Sequence, residues 1–265
     1  MRVAAGEGAG QGRLVFGPPG AGEIGVTTRA RDTLLAEMEA RLRDGDGFAV
    51  ATLNLDHVVK LRRDPAFRAA YVAQSHVVAD GNPIVWLCRL AGRQVELVPG
   101  SDLIAPVMAL AARLSVPVGL VGSTEAVLER AAARLEEAEP GLRVVARIAP
   151  PMGFDPAGPA AEAVLEQVAG TGARLVFLAL GAPKQERLAA LGRARQPGLG
   201  FVSIGAGLDF IAGTQRRAPV WVRMLALEWL WRMLGDPARL ARRYAACVAV
   251  LPRLALTALA ERRQP

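Results

Sequence analysis

Short apolar runs alternate with helix-length segments along most of this sequence, and that alternation constrains the fold more than any other feature. Between residues 116 and 204, segments with apolar residues at helical spacing separate the runs 116–121, 142–148, 174–180 and 201–204. Strands that alternate with helices of this length predict a mostly parallel sheet with helices on both faces, an α/β fold. A length of 265 residues allows one large domain or two closely packed halves.

One junction between an apolar run and a helix carries a carboxylate. The run 76–79 ends at Asp80-Gly81, and Pro83 then opens an apolar helix, a pattern typical of a strand, a tight turn and a helix start. Asp80 is therefore predicted at the carboxyl end of a strand. Open α/β sheets bind ligands at that edge, where a carboxylate can act as a general base. The alternative is that Asp-Gly is only a turn.

Two polar residues at the end of the predicted strand 48–53 should reach the same edge of the sheet. Thr52 and Asn54 have side chains that can hydrogen-bond to a ligand there. Asn54 also has a purely structural alternative, because an asparagine directly before a helix commonly caps it.

The turn Pro99-Gly100-Ser101-Asp102 joins a short predicted strand, 94–98, to a helix. Ser101 or Asp102 would cap that helix, and capping requires no ligand.

Two glycine-containing segments follow buried strands later in the chain. Gly181-Ala182-Pro183-Lys184-Gln185-Glu186 opens a helix, and its exposed N–H groups beside Lys184 would suit a phosphate or a sugar hydroxyl. It matches neither a Walker loop nor the dinucleotide fingerprint. Gly205-Ala206-Gly207 is a lone glycine pair, which by itself is weak evidence for a dinucleotide site.

The basic charge is concentrated at the carboxyl end of the chain. Residues 213–265 contain ten arginines and three acidic residues, so they carry the whole formal excess of +7. Asp236 and Pro237 predict a helix start that places Arg239 and Arg243 on one face. Clustered guanidinium groups suit a diphosphate, whereas tryptophan and leucine beside arginine suit a helix in a membrane interface. A solvated basic face is the third alternative.

These observations divide the chain into a glycine-rich leader at 1–22, predicted to be disordered, an α/β body at 23–212 and a basic helical appendage at 213–265. No run of about 18 uninterrupted apolar residues occurs, so we expect no membrane-spanning segment.

The two cysteines, Cys88 and Cys247, are expected to be buried thiols. The two histidines, His57 and His76, are expected to be structural, and we expect no metal site.

Taken together, the segments resemble the WecG/TagA/CpsF family of bacterial glycosyltransferases, glycosyltransferase family 26. The likeness runs from about residue 26 to about residue 244, and it depends on the order and number of motifs that are each modest. The matching residues are Thr52-Leu53-Asn54, Ala79-Asp80-Gly81 with Trp86, Pro99-Gly100-Ser101-Asp102, Gly181-Ala182-Pro183-Lys184-Gln185-Glu186, Gly205-Ala206-Gly207-Leu208-Asp209-Phe210 with Ala212-Gly213, Arg217-Ala218-Pro219 with Trp221, Glu228-Trp229-Leu230 with Arg232, and Pro237 with Arg239, Arg242, Arg243 and Tyr244.

The resemblance implies a Rossmann-like sheet of the GT-E type and an inverting transferase; we expect no cofactor. Such an enzyme moves a hexose or N-acetylhexosamine-type sugar from a UDP-sugar to a sugar on a polyprenyl diphosphate. Asp80 would be the catalytic base, and Thr52, Asn54 and Gln185 would orient donor and acceptor. The remaining substrate-binding residues would be Lys184, Gly181, Ser101, Asp102, Gly205 and Gly207.

The resemblance also implies that the basic appendage closes over the site and brings it to the membrane. The residues then assigned to a diphosphate or lipid headgroup are Arg217, Arg232, Arg239, Arg242 and Arg243. The expected partners are a UDP-sugar, a lipid-linked acceptor and the inner face of the bacterial cytoplasmic membrane, with no nucleic acid. The sequence leaves open whether the protein forms a homo-oligomer that masks the appendage in solution.

One position departs from the family pattern. Many members have arginine two residues before the Pro-Gly-Ser-Asp turn, where this chain has Leu97. Another arginine then replaces that contact, the substrate differs, or the activity is reduced.

Other functions explain only parts of the sequence. A Rossmann-type oxidoreductase would need a Gly-x-Gly-x-x-Gly turn after an early strand, and none is found. A catalytically inert membrane-associated adaptor of a polysaccharide assembly would explain the basic appendage but would leave Asp80, Asn54 and Gln185 without a role. No recognised nucleic-acid module accompanies the basic residues.

Overall fold

A computed structural model describes residues 14–17, 24–215, 218–219, 222 and 228–263. Within these residues a six-stranded, entirely parallel sheet has the order β2-β1-β6-β5-β3-β4. The strands are β1 (Phe48–Leu53), β2 (His76–Ala79), β3 (Val118–Gly122), β4 (Val144–Ile148), β5 (Leu175–Ala179) and β6 (Gly200–Ser203). The predicted α/β, Rossmann-like class is confirmed.

Helices connect the strands and cover both faces of the sheet. Those in the body are α1 (Arg31–Asp44), α2 (Leu55–Leu61), α3 (Pro65–Val72), α4 (Asn82–Leu90), α5 (Gly100–Arg113), α6 (Glu125–Ala138), α7 (Pro159–Gly170), α8 (Lys184–Arg195) and α9 (Gly207–Ala212). Successive side chains of a strand point to opposite faces. Phe48 and Val50 of β1 accordingly pack with α1, α5, α6 and α9, whereas Ala49 and Ala51 face α2, α3, α4, α7 and α8.

The strand order locates the crevice in which a ligand can bind. The connection after β1 leads to β2, on one side of β1. The strand on the other side of β1 is β6, and the chain enters β6 from β5. Connections therefore diverge between β1 and β6, and open α/β sheets bind ligands at the carboxyl edge of such a point. Asn54 and Gly205 follow these two strands.

Two predictions near α5 are wrong. Residues 94–98 form no strand; the N–H of Val98 instead donates to the oxygen of Ala79 at 2.8 Å, a single bond at the end of β2. Neither Ser101 nor Asp102 caps the helix, because Pro99 already has the extended backbone of an N-cap and the helix begins at Gly100. Both side chains lie in the first turn.

The appendage contains two described helices, α10 (Glu228–Gly235) and α11 (Pro237–Arg262). The predicted start at Pro237 is confirmed. Cys247, Leu254 and Ala258 are buried against the layer that contains α2 and α4. Residues Leu240–Arg262 are long and apolar enough to cross a membrane by length and composition alone. Only 17% of the most apolar stretch of this segment is buried, and the expectation that no segment spans a membrane stays a prediction.

Part of the predicted leader packs into the core. Leu14 and Phe16 are 2% and 1% exposed, in the same cluster as Cys247 and Leu254 of α11. The N–H of Val15 donates to Oε1 of Glu261 at 3.4 Å. Residues 14–17 are therefore not a disordered leader; the other residues of the predicted leader lie outside the described part of the chain.

Because Phe16 is buried, Phe16→Ala should lower the free energy of unfolding by about 3 kcal/mol, the usual cost of removing a core phenylalanine. Val15→Ala is the matched control, since Val15 is only half-buried and its N–H bond to Glu261 survives; its cost should stay below about 1 kcal/mol. Urea denaturation of the full chain measures both values. Equal values for the two variants would contradict the packing of this segment.

Candidate active site

The parallel pairing of β1 with β2 brings Asn54 and Asp80 together. Leu53 is in register with Ala79, so the next residue on each strand reaches the carboxyl edge side by side. Nδ2 of Asn54 donates to Oδ2 of Asp80 at 3.3 Å. Both side chains are half-exposed, so the carboxylate can be reached from solution.

Asn54 also caps α2, as the alternative interpretation expected. Its Oδ1 accepts from the N–H of His57 at 3.0 Å. Since the amide oxygen is used in the cap, the amide nitrogen is directed toward Asp80. The structural and functional interpretations are therefore compatible: one side chain starts the helix and orients the carboxylate.

The start of α5 lies against the ends of β1 and β6. A Cβ on Gly100 would lie 3.2 Å from the oxygen of Ser203 and 3.4 Å from Cγ2 of Thr52. Glycine permits this approach, which places the half-exposed Ser101 and Asp102 at the candidate site. Thr52 itself is buried beneath the helix start, with 4% exposure.

Gln185, in the first turn of α8, is hydrogen-bonded to the loop that follows the strand β6. Its Oε1 accepts from the N–H of Gly205 at 3.0 Å, and its Nε2 donates to Oε1 of Glu186 at 2.9 Å. The residue is only 2% exposed. Gly181 and Lys184, by contrast, are half-exposed on the same turn.

Gly207 has a packing role. A Cβ there would lie 2.4 Å from Cδ1 of Ile104, so glycine allows α9 to approach α5 closely. The side chain of Ile104 would have to move to admit even alanine. This contact accounts for Gly207 without a ligand.

A buried polar layer that the sequence analysis did not identify lies beneath the site. The Tyr71 hydroxyl donates to the oxygen of Thr52 at 3.2 Å and lies 2.7 Å from Nδ1 of His57. Burial, helped by the Lys60 charge, lowers the pKa of His57 to about 3. Burial and the carboxylates of Glu186 and Asp80 raise the pKa of Tyr71 well above 10. Both groups are therefore uncharged at neutral pH.

Glu186 is the most strongly perturbed carboxyl near the site. Burial raises its pKa from 4.5 to about 7, although the hydrogen bond from Gln185 opposes that rise. It is 0% exposed, and its Oε2 has no hydrogen-bond partner. Two consecutive polar residues, Gln185 and Glu186, on the sheet-facing side of α8 were the sequence signal for this layer.

The arginines of the appendage have different environments. Arg243 is paired with Asp56, at 2.9 Å between Nε and Oδ1, and Arg242 is exposed. Arg232 and Arg239 lie on α10 and α11, but their side chains lie outside the described part of the structure, as does all of Arg217.

No group of three or more His, Cys, Asp or Glu side chains that could hold a metal occurs among the described residues. An Asp-x-Asp pair, Asp44-Gly45-Asp46, begins at the last residue of α1 and precedes β1, at the amino edge of the sheet, opposite Asp80. The expectation that the protein has no metal site stays a prediction.

The two roles of Asn54 can be separated by substitution. Asn54→Ser keeps an N-cap but removes the amide donor, so the free energy of unfolding should stay within about 0.5 kcal/mol of wild type. Asn54→Ala removes the cap as well and should cost about 1 kcal/mol. Urea denaturation distinguishes the two. A serine variant as unstable as the alanine variant would show that the bond to Asp80, rather than the cap, stabilises this edge.

Glu186 should make stability depend on pH. Between pH 4.5 and about 7 the folded protein holds a proton that the unfolded chain has lost, so stability falls as the pH rises. The slope is at most about 1.4 kcal/mol per pH unit. Glu186→Gln keeps an acceptor for Nε2 of Gln185 and removes this titration. The difference in the free energy of unfolding between wild type and this variant isolates Glu186, because the histidines contribute equally to both proteins. A difference in the free energy of unfolding that stays constant between pH 4.5 and about 7 would contradict the raised pKa of Glu186.

Comparison with known families identifies the family of this chain. The model of the glycosyl transferase WecG/TagA/CpsF family matches residues 22–265, nearly the whole chain. This range spans both the α/β body and the appendage. The chain therefore belongs to the WecG/TagA/CpsF family of glycosyltransferases.

Proposed function

We propose that this protein is an inverting hexosyltransferase. It moves a hexose or N-acetylhexosamine-type sugar from a UDP-sugar to a polyprenyl-diphosphate-linked sugar in cell-surface polysaccharide or teichoic acid biosynthesis. The observation that carries the proposal is the Asp80 carboxylate, half-exposed at the carboxyl edge and hydrogen-bonded by Nδ2 of Asn54. Family membership supports the glycosyltransferase class.

Transfer is a single displacement. Asp80 takes the proton from the acceptor hydroxyl while that oxygen attacks the anomeric carbon, and the bond from that carbon to the diphosphate breaks. UDP leaves with the bonding electrons, and the configuration at the anomeric carbon inverts. Lys184 and the N–H groups at the start of α8 stabilise the negative charge on the leaving diphosphate. The amide of Asn54 keeps the carboxylate oriented toward the hydroxyl.

The appendage brings this site to the inner face of the cytoplasmic membrane. Trp229, Trp231 and Leu234 of α10 are exposed by 44%, 43% and 72%. Trp229 contacts the ring of Tyr244 edge-on, at 5.7 Å between centroids, which links α10 to α11. Exposed aromatic and aliphatic side chains next to arginines favour the interface of an anionic bilayer, where a lipid-linked acceptor lies.

Asp80→Asn should reduce sugar transfer by about 100-fold or more, the scale expected for a lost general base. The assay uses full-length protein, a panel of labelled UDP-sugars and a short-chain polyprenyl-diphosphate-sugar on liposomes. Asp46→Asn is the matched control, because Asp46 is exposed between α1 and β1, on the opposite edge of the sheet.

The outcomes of this assay separate three cases. Transfer that Asp80→Asn leaves unchanged would place the base elsewhere. Absence of transfer from every donor, with wild-type protein folded and bound to liposomes, would favour the catalytically inert adaptor instead.

A further inference from the structure

Asp56 connects the appendage to the candidate site through one buried carboxylate. It lies in the first turn of α2, two residues after Asn54, and its side chain is 10% exposed. Oδ2 lies 2.8 Å from Nζ of Lys60, and Oδ1 lies 2.9 Å from Nε of Arg243 on α11. These two cations outweigh the effect of burial and lower the pKa of Asp56, so it is charged.

Lys60 extends the connection to the turn after β5. Its Nζ donates to the oxygen of Ala182 at 3.1 Å, while also pairing with Asp56. Ala182 follows Gly181 and forms the cis bond to Pro183, and Lys184 comes next. The carboxylate of Asp56 is thus one side chain away from the turn proposed to hold the leaving diphosphate.

Arg243 occupies the buried stripe of α11. Leu240 and Cys247 lie three residues before and four residues after it, and both are buried. Residues at this spacing share one helix face, so Arg243 is directed toward α2. Its Nε is paired with Asp56 while the side chain keeps an exposed fraction of 38%, and its role toward a diphosphate or lipid headgroup stays a prediction.

We infer that Asp56 and Arg243 are positioning residues through which the docking of α11 sets the Gly181–Lys184 turn for the donor. The inference rests on the proposed function, because it takes that turn to hold the diphosphate of the donor. Docking of α11 neutralises one side of Asp56 and leaves Lys60 shared between the carboxylate and Ala182. Loss of Arg243 would draw Lys60 fully onto Asp56 and release the oxygen of Ala182.

UDP binding to the full-length protein tests this coupling. Arg243→Ala should weaken UDP binding by about tenfold, within the usual range of coupling between sites. Arg243→Lys keeps the positive charge and should restore binding to within about threefold of wild type. Arg253→Ala is the matched control, since Arg253 is exposed on the same helix, and it should bind UDP as wild type does.

Asp56→Asn tests the same chain of contacts from its other end. Combined with Arg243→Ala, it should weaken UDP binding no further than the stronger single substitution does, because both break one bridge. If the fold-losses in UDP affinity of the two single variants multiply in the double variant, the inference is overturned. Arg243→Ala decides the matter if Asp56→Asn does not fold, because it leaves the Asp56–Lys60 pair intact.

Hydrogen exchange provides a readout that a merely structural role would not change. Because coupling is reciprocal, UDP should slow amide exchange in residues 240–250 of wild type but not of Arg243→Ala. Unchanged exchange in wild type with UDP bound, or wild-type UDP affinity in Arg243→Ala, would overturn the inference. Absence of UDP binding by folded wild-type protein would overturn the proposed donor, and the inference with it, and is distinguishable from both.

Discussion

The amide of Asn54 is the contact on which the candidate site depends. Its oxygen must accept from the N–H of His57 to start α2, so its nitrogen has one remaining direction, toward Asp80. That geometry needs β1 and β2 in parallel register, which places Leu53 beside Ala79. Helix capping, strand pairing and orientation of the carboxylate are therefore satisfied by a single side chain, and a shift of register would separate all three.

A buried polar layer supports this edge from below. Oε1 of Gln185 holds the loop after β6 by accepting from the N–H of Gly205, and its Nε2 donates to Oε1 of Glu186, its neighbour on α8. Buried polar groups are costly unless they are paired, and Oε2 of Glu186 has no partner. A protonated Glu186 lowers that cost, which is consistent with its raised pKa. The loop after β6 is thus held by a hydrogen bond to a group that ligand cannot reach directly.

The sequence was sufficient for the fold and for the Asn54–Asp80 edge, because apolar runs ending at polar residues mark where strands end. It was insufficient where tertiary contacts override local pattern. Residues 94–98 have strand-like composition but form only one backbone hydrogen bond to β2, from Val98 to Ala79. Phe16 lies in a glycine-rich segment typical of disorder, yet α11 and its neighbours provide an apolar surface that buries it. Neither contact has a signal in the local sequence.

The appendage shows why charge counted from composition overstates the number of free cations. Arg242 and Arg243 are adjacent in sequence, but successive residues of a helix are about 100° apart around its axis. Arg242 is therefore exposed, whereas Arg243 shares a face with Leu240 and Cys247 and pairs with Asp56. One of the ten arginines thus neutralises an acidic residue of the body. The same helix consequently offers an attachment to the sheet on one side and a basic, partly apolar surface on the other.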